Sequence, residues 1–271
     1  MDLKGFQNGV EGLSAWLEES TEPDASIIGG GSAPSKYTGM TPQQKKKAEQ
    51  LTSLFENGTI DIQYDYAENL DDGRGITAGR AGFTTRDGDA YEVVRLYTAK
   101  KSDNGLKKYL ETLKSLTEDE SDSTKNLKGF EKAWKEAAKD ELFRQVQDYV
   151  VEVMYYKPSQ SYADRLGLKT AIARAFLFDT IIQHGDGDEK DSIGSLLKST
   201  PKNDMDETSW LEAFINTRRK DLEHSYDKET RDEWAESVSR CDIFKQILES
   251  GNYDFDKPIK IKTKEYDVTI P

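Results

Sequence analysis

Apolar residues recur at intervals of three and four along most of this chain of 271 residues. That interval repeats on one face of a helix, and Leu168, Ile172, Ala175 and Ile182 show it within one segment. The pattern predicts helices near residues 104–117, 126–138, 140–155, 168–184, 190–198, 206–222 and 228–249. Such regular periodicity excludes a disordered chain, although 33% of the residues are charged.

An earlier helix is predicted from its two end signals. Thr41-Pro42 supplies a capping residue and a proline at the first helical position, and Asn57-Gly58 supplies a stop. Residues 1–40 precede this helix and predict a separate segment, a short amphipathic helix followed by a linker rich in Gly, Pro and Ser. We therefore expect the main body of the protein to comprise residues 41–271.

Residues 59–100 differ in composition from the helical segments. They are rich in Gly, Thr and Tyr and contain β-like runs at 60–66, 76–84 and 90–98. The tail at 258–270 alternates apolar and polar residues and predicts a further strand. Taken together, these patterns predict an α+β fold that is mainly helical and carries one small β-sheet.

Charge and composition exclude several classes of protein. The net charge of −13 excludes nucleic acid as the expected partner, because phosphate binding needs a basic surface. The acidity either favours a cationic ligand or only maintains solubility. One cysteine and two histidines leave no intrachain disulfide and no multi-histidine centre, so neither a metal nor a cofactor is expected. No stretch approaches the roughly 20 apolar residues of a membrane span.

Two groups of carboxylates could carry chemistry. Glu56 ends the first helix behind Phe55, and a partly apolar setting at a helix C-terminus suits a general acid. Read alone, however, a glutamate at a helix C-terminus is usually just a surface residue. Asp71 and Asp72 lie in a stretch of acids, tyrosines and glycines that also fits an acidic turn or a calcium loop.

The order of motifs around these acids resembles glycoside hydrolase family 46, the chitosanases. The resemblance covers roughly residues 41–271 and rests on these segments: Glu56-Asn57-Gly58, Gln63-Tyr64-Asp65-Tyr66, Asp71-Asp72-Gly73-Arg74-Gly75-Ile76-Thr77-Ala78-Gly79, Gly82-Phe83-Thr84-Thr85, Gly88-Asp89, Tyr155-Tyr156-Lys157-Pro158, Asp179, His184-Gly185, Trp210 to Arg218, and Ser239-Arg240. It implies two lobes with a substrate cleft between them, on a plan similar to lysozyme.

The resemblance also implies roles for individual residues. Glu56 matches the general acid of an inverting mechanism, Asp72 matches the general base, and Thr77 matches the position that helps to hold the attacking water. Asp89 matches a carboxylate that binds a glucosamine ammonium group. The remaining matches are cleft-lining, substrate-binding positions: Arg74, Tyr155, His184 and Gly185.

Helical spacing adds a prediction that does not depend on the resemblance. Asp179 falls on the apolar face of its helix, where a carboxylate needs cationic partners, and Arg218 and Arg240 lie on apolar faces of two later helices. We expect the three to meet in the core, either as a structural ion cluster or, as the resemblance implies, as a support for Glu56.

These observations predict an enzyme, an endo-acting and inverting chitosanase that cleaves β-1,4 linkages between glucosamine residues. The alternatives are another lysozyme-like glycosidase, such as a peptidoglycan hydrolase, or a non-catalytic binder of cationic polysaccharide. The expected partner is chitosan, with no nucleic acid or membrane, and the expected state is a monomer. Because no signal peptide is visible, the protein is either cytoplasmic or a mature form, and secretion is expected only because the polymer is extracellular.

Overall fold

The structure is a computed structural model that describes residues 39–226 and 231–271. The short helix and linker predicted for residues 1–40 lie, up to residue 38, outside the described residues.

The described α-helices follow one another along most of the chain. In chain order they are α1 (Pro42–Asn57), α2 (Asp89–Lys100), α3 (Leu110–Glu118), α4 (Phe130–Ala137), α5 (Glu141–Val151), α6 (Lys157–Arg165), α7 (Ala171–His184), α8 (Ile193–Ser199), α9 (Glu207–Glu223), α10 (Arg231–Glu236) and α11 (Ser239–Glu249). A 3₁₀ turn, Lys107–Tyr109, precedes α3, and a π-helical turn, Glu152–Tyr156, joins α5 to α6.

Two small antiparallel sheets complete the described fold. The strands β1 (Ala67–Asn69), β2 (Ile76–Ala78) and β3 (Phe83–Thr84) form the first, with β2 in the centre. Thr77 on β2 is paired with Glu68 on one side and Thr84 on the other. The strands β4 (Ile259–Lys262) and β5 (Asp267–Ile270) form a C-terminal hairpin.

The chain divides into two compact units, in agreement with the two lobes expected. Of the described residues, 39–61, 155–226 and 231–271 form the first unit, and 62–154 form the second. The sequence thus leaves the first unit after α1 and re-enters it within the π-helical turn.

The first unit is built around α7, which is buried along nearly its whole length. Helices α1, α6, α9 and α11 pack against it. Its N-terminus is capped from another helix, because the carboxylate of Glu207 accepts hydrogen bonds from the amides of Lys169 and Thr170 at 2.9 and 2.8 Å. Because α7 is buried, packing on all sides fixes the side chains of Asp179 and His184, which this helix carries.

The second unit has an aromatic core. Trp134 of α4 is fully buried and packs edge-on to Phe143, with ring centroids 4.9 Å apart. Its indole Nε1 donates to the carbonyl of Tyr64 at 3.0 Å, which ties the segment before β1 to the helices. The small sheet therefore rests on α4, and Phe83 of β3 packs on the same tryptophan.

The mainly helical α+β class is confirmed, but two predicted elements are wrong. The β-like run at 60–66 forms no strand, and β1 begins only at Ala67. Residues 90–98 form part of helix α2 rather than a β-like run. β-Branched and aromatic residues give this segment a strand-like composition, yet Ala90, Val93, Val94 and Tyr97 are all buried at helical spacing. In this segment the helical spacing of the buried residues is therefore a better guide to secondary structure than their composition.

Further differences concern the helices and the C-terminal tail. The predicted helix at 228–249 is divided into α10 and α11 within the described part, and α6 was not predicted. The predicted helix at 140–155 corresponds to α5 followed by most of the π-helical turn. The C-terminal tail forms a hairpin of two strands rather than one strand. No helix in residues 39–226 or 231–271 is long and apolar enough to cross a membrane.

Candidate active site

Glu56 stands in the last turn of α1, where the helix presents it at the surface of the first unit. The helix begins in a capping box formed by Thr41 and Gln44 and ends at Gly58, whose φ of 69° closes the last turn. The side chain of Glu56 is 26% exposed, and its Oε1 accepts a hydrogen bond from Nη2 of Arg240 at 2.6 Å. One oxygen is thus fixed while the group stays accessible.

Arg240 connects Glu56 to a buried ion cluster. Its Nη2 also donates to Oδ1 of Asp179 at 3.1 Å, and Nη1 of Arg218 donates to Oδ2 of the same carboxylate at 2.6 Å. Asp179 and Arg218 have side chains that are 0% exposed. The structure therefore brings together, on α7, α9 and α11, the three residues that helical spacing predicted to meet.

The cluster is electrostatically self-consistent. Burial acts to lower the pKa of Arg240, but the carboxylates of Asp179 and Glu56 more than offset it and raise that pKa above its ordinary value. Arg240 therefore remains a charged guanidinium. A buried carboxylate between two guanidiniums leaves one positive charge, which is directed at Glu56.

His184 ends α7 and lies behind Arg218. Its side chain is 0% exposed, and its ring packs edge-on to Trp234 with centroids 4.8 Å apart. Nε2 faces Nε of Arg218 at 3.1 Å, and Nδ1 faces the carbonyl of Asp191 at 2.7 Å. The ring is buried, and its two nitrogens face Arg218 and the carbonyl of Asp191; a substrate contact by His184 remains a prediction.

Burial, and then the charge of Arg218, lower the pKa of His184 well below its usual 6.5. The imidazole is therefore neutral. Since a carbonyl can only accept, the proton sits on Nδ1, and Nε2 accepts from Arg218.

The other two substrate positions predicted in the first unit are Gly185 and Tyr155. Gly185 caps the C-terminus of α7 with φ 75° and ψ 163°, a conformation that is essentially restricted to glycine. Tyr155 lies in the π-helical turn and is 5% exposed. A substrate contact by either residue remains a prediction.

Asp72 belongs to the second unit, in the turn between β1 and β2. Its side chain is 12% exposed. Oδ1 accepts from the amide of Arg74 at 3.0 Å, and Oδ2 accepts from Nε and Nη2 of Arg74 at 3.0 and 2.6 Å. Three donors from one residue fix the orientation of the carboxylate. Arg74, predicted to bind substrate, is here the partner of the predicted base.

Thr77 is in the centre of the three-stranded sheet and is 7% exposed. Its Oγ1 is buried and has no hydrogen-bond partner among the described residues. A buried hydroxyl without a partner is uncommon, and such groups often bind an ordered water. The arrangement suits the water-holding role predicted for Thr77.

Asp89 is the first residue of α2 and is 3% exposed. Its Oδ1 accepts from the amides of Thr84 and Ala90 at 2.7 and 2.9 Å. These contacts anchor the start of α2 to β3, next to the pair formed by Thr77 and Thr84. Binding of an ammonium group by Asp89 remains a prediction.

Sequence reasoning missed several neighbours of the cluster. Gln183 accepts from Nη2 of Arg218 at 2.7 Å, and Oδ2 of Asp221 lies 3.6 Å from Nδ1 of His184. Gln183 lies four residues after Asp179, and Asp221 three after Arg218, so helical spacing could have found both. The carbonyl of Asp191 has no sequence signal, because backbone groups are common to all residues.

Across residues 39–226 and 231–271, no three His, Cys, Asp or Glu side chains are grouped so that they could hold a metal ion.

A mainly helical α+β fold that carries an arginine-bound glutamate and a second oriented aspartate has the carboxyl groups that a glycoside hydrolase needs. The sequence profile of Glycosyl hydrolase family 46 matches residues 50–259, and the chain belongs to this family.

Known relatives agree with this assignment. The chain is 52% identical over 235 residues to a chitosanase of Bacillus subtilis (strain 168). The matched region covers 84% of this chain and 85% of that relative. The crystal structure of native chitosanase from Bacillus subtilis MY002 matches with a TM-score of 0.83 at 51% identity, over 86% of this chain and 100% of that one. A Gynuella sunshinyii GH46 chitosanase in complex with chitotetraose matches with a TM-score of 0.82 at 40% identity, over 86% and 99%.

Proposed function

We propose that the protein is an endo-acting chitosanase that hydrolyses β-1,4 linkages between glucosamine residues with inversion at the anomeric carbon. The observation that carries the proposal is the setting of Glu56, whose carboxylate is accessible and yet fixed by Arg240 on a buried ion cluster. The relatives support the choice of substrate, since one solved chitosanase, 50% identical to this chain, is a mutant complexed with 6 GlcN.

In the proposed mechanism the two carboxyl groups have opposite tasks. Protonated Glu56 gives its proton to the glycosidic oxygen as the bond to the leaving sugar breaks. Ionised Asp72 takes a proton from a water molecule that attacks the opposite face of the sugar ring, and Thr77 helps to hold that water. Inverting glycosidases keep the two carboxyls about 6.5–9.5 Å apart so that this water fits.

The ion cluster favours the product side of the proton transfer. When Glu56 becomes a carboxylate, it faces the positive charge left over from Asp179 and its two arginines. In a water-poor setting such a fixed charge stabilises a developing anion more than bulk solvent would. Arg240 and Arg218 therefore support the acid without touching the sugar.

Selectivity for glucosamine is assigned to Asp89 and to the charge of the whole chain. A carboxylate pairs with an ammonium group but not with an acetamide, and one such charge-assisted hydrogen bond contributes about 1.5–3 kcal/mol. The net charge of −13 attracts a polycation. Action on this polymer implies a secreted protein, and the mechanism requires only a monomer.

Release of reducing ends from chitosan, chitin and peptidoglycan tests the activity. We expect release from chitosan; no release would sink the proposal, and release from peptidoglycan alone would favour the alternative glycosidase. Proton NMR of the first products tests the stereochemistry. Inversion of a β-linkage gives the α-anomer first, so an initial β-anomer would rule out the mechanism.

Substitution of each carboxyl tests the assignment of roles. Glu56→Gln and Asp72→Asn should each lower kcat by at least about 10²–10⁴-fold, because each removes a proton donor or acceptor. Circular dichroism should show intact folds. Asp71→Asn is the matched control: its φ of 54° suits asparagine, and activity should stay within about twofold of wild type. Substantial turnover by Glu56→Gln would mean that another group is the acid.

A further inference from the structure

Arg218 is held on every edge of its guanidinium. Nη1 donates to Asp179 at 2.6 Å, and Nη2 donates to Gln183 at 2.7 Å. The remaining Nε–H donates to Nε2 of His184 at 3.1 Å. A planar group with three fixed edges cannot rotate without breaking a hydrogen bond, so the imidazole determines the third constraint on its plane.

His184 is itself fixed from behind. Nδ1 donates to the carbonyl of Asp191 at 2.7 Å, and the ring packs against Trp234. The carbonyl selects the tautomer that leaves Nε2 unprotonated, as an acceptor for Arg218. A ring in the other tautomer would direct an N–H group at the Nε–H of Arg218 and would lose both hydrogen bonds.

We propose that His184 is a positioning residue for the proposed glycoside hydrolysis: through Arg218 and Asp179 it fixes the guanidinium of Arg240 that holds the carboxylate of Glu56. The inference rests on the proposed function for its effect on rate, but the geometry is independent of that function. The side chain of His184 is 0% exposed, so its ring does not contact the sugar. His184 therefore acts only through the residues between it and Glu56.

Charge supports this role. Protonation would remove the acceptor at Nε2 and would place a cation against Arg218. Burial and that same arginine lower the pKa of His184 well below 6.5, which favours the neutral ring with its acceptor at Nε2. The histidine therefore serves as a fixed acceptor and not as a proton carrier.

Two substitutions distinguish the contributions of the two ring nitrogens of His184. A glutamine side chain reaches the position of Nε2 and its amide oxygen can accept from Arg218, whereas an asparagine side chain reaches only Nδ1 and can bond the carbonyl of Asp191. A purely structural role predicts that His184→Gln and His184→Asn lower activity in proportion to their loss of stability. A positioning role predicts that they differ.

The kinetic test compares both variants with wild type on chitosan oligomers, with urea unfolding as the stability control. His184→Gln should keep kcat within about twofold, and His184→Asn should lower kcat about tenfold with KM little changed, as expected for a coupling that acts through intervening residues. A change confined to KM would indicate a substrate contact and overturn the proposal. Equal losses of kcat, or failure of both variants to fold, would make His184 a structural residue and would also overturn it.

A second measurement does not depend on turnover. The ¹³C resonance of the Glu56 carboxyl, followed through a pH titration, should have a displaced midpoint in His184→Asn and the wild-type midpoint in His184→Gln. Identical titrations in all three proteins would overturn the positioning role. If wild type did not cleave chitosan but these midpoints differed as expected, the proposed function would fail while the positioning role would stand.

Discussion

At the scale of single residues, Thr77 offers a sharp test, because its buried hydroxyl oxygen has no hydrogen-bond partner among the described residues. Thr77→Val removes that oxygen and should leave the free energy of unfolding unchanged or raise it, since an unpartnered buried polar group costs about 1–3 kcal/mol. If the oxygen holds the attacking water, kcat should fall roughly 10–100-fold. Urea unfolding and initial rates on chitosan measure the two effects.

Thr85→Val is the matched control on the same hairpin. The Oγ1 of Thr85 accepts from the buried amide of Ile76 at 3.0 Å. Its loss should destabilise the fold by about 1–3 kcal/mol, with an activity loss no larger than that instability explains. If Thr77→Val kept full activity, the water-holding role would be wrong.

The sequence was informative about side chains and uninformative about backbone partners. Helical spacing alone placed Asp179, Arg218 and Arg240 on buried faces, and the structure brings them together. The interior direction of His184 could not be predicted, because it depends on the carbonyl of Asp191. The catalytic roles predicted for Glu56 and Asp72 come from the resemblance, because local composition left several interpretations open.

At the scale of elements, the end of α7 depends on one glycine. Gly185 has φ 75° and ψ 163°, and a Cβ built there would meet no atom within 4 Å. The cost of Gly185→Ala is therefore conformational and should be about 1–3 kcal/mol. Gly58→Ala, at φ 69° and ψ 9°, is equally open but lies in the left-handed helical region, and it should cost less.

Urea unfolding of the two glycine variants gives this comparison directly. Gly185→Ala should also reduce kcat, because Gly185 directly follows His184 at the end of α7. Gly58→Ala acts instead at the end of α1, next to Glu56. Equal losses of stability would argue that the backbone at residue 185 relaxes, and that glycine is not required there for its conformation.

Elements were predicted best where period and composition agreed. The helix α1 has a capping residue, an apolar stripe and a glycine stop, and its bounds were predicted within a residue. The helix α2 was read as a β-like run because Val93, Val94 and Tyr97 favour strands, while burial of the segment against α5 favours the helix. Tertiary packing decides such a segment, and composition does not record it.

At the scale of the whole molecule, stability should depend on pH through Asp221. Burial, then the neighbouring carboxylate of Asp191, raise the pKa of Asp221 to about 7, and Arg218 acts in the opposite direction. A carboxyl whose folded pKa exceeds its unfolded value stabilises the fold fully below the unfolded pKa. That contribution is lost as the pH rises through about 7.

Urea unfolding at about pH 5 and about pH 8 tests this linkage. Wild type should be less stable at the higher pH, and Asp221→Asn should lose less stability over the same interval. General repulsion from the net charge of −13 acts in the same direction in both proteins, so only their difference is diagnostic. Parallel curves for the two proteins would assign the effect to net charge alone.

The division of the chain into two units was implied by resemblance and not by any pattern in the residues. Residues 62–154 form one unit as an excursion between α1 and α6, and no proline- or glycine-rich linker marks either crossing. Continuous secondary structure through the second crossing, at the π-helical turn, hides the boundary from the sequence.

The ion pair between Glu56 and Arg240 joins residues 184 positions apart. During synthesis, Glu56 is therefore made long before Arg240, which fixes it. Asp179 is likewise made before both of its arginine partners. A nascent chain has neither the complete ion cluster nor the ion pair that holds Glu56 until Arg240 has been made. A fragment that ends between residues 218 and 240 leaves Asp179 with one arginine and Glu56 without Arg240, so this arrangement requires the chain from α1 through the start of α11.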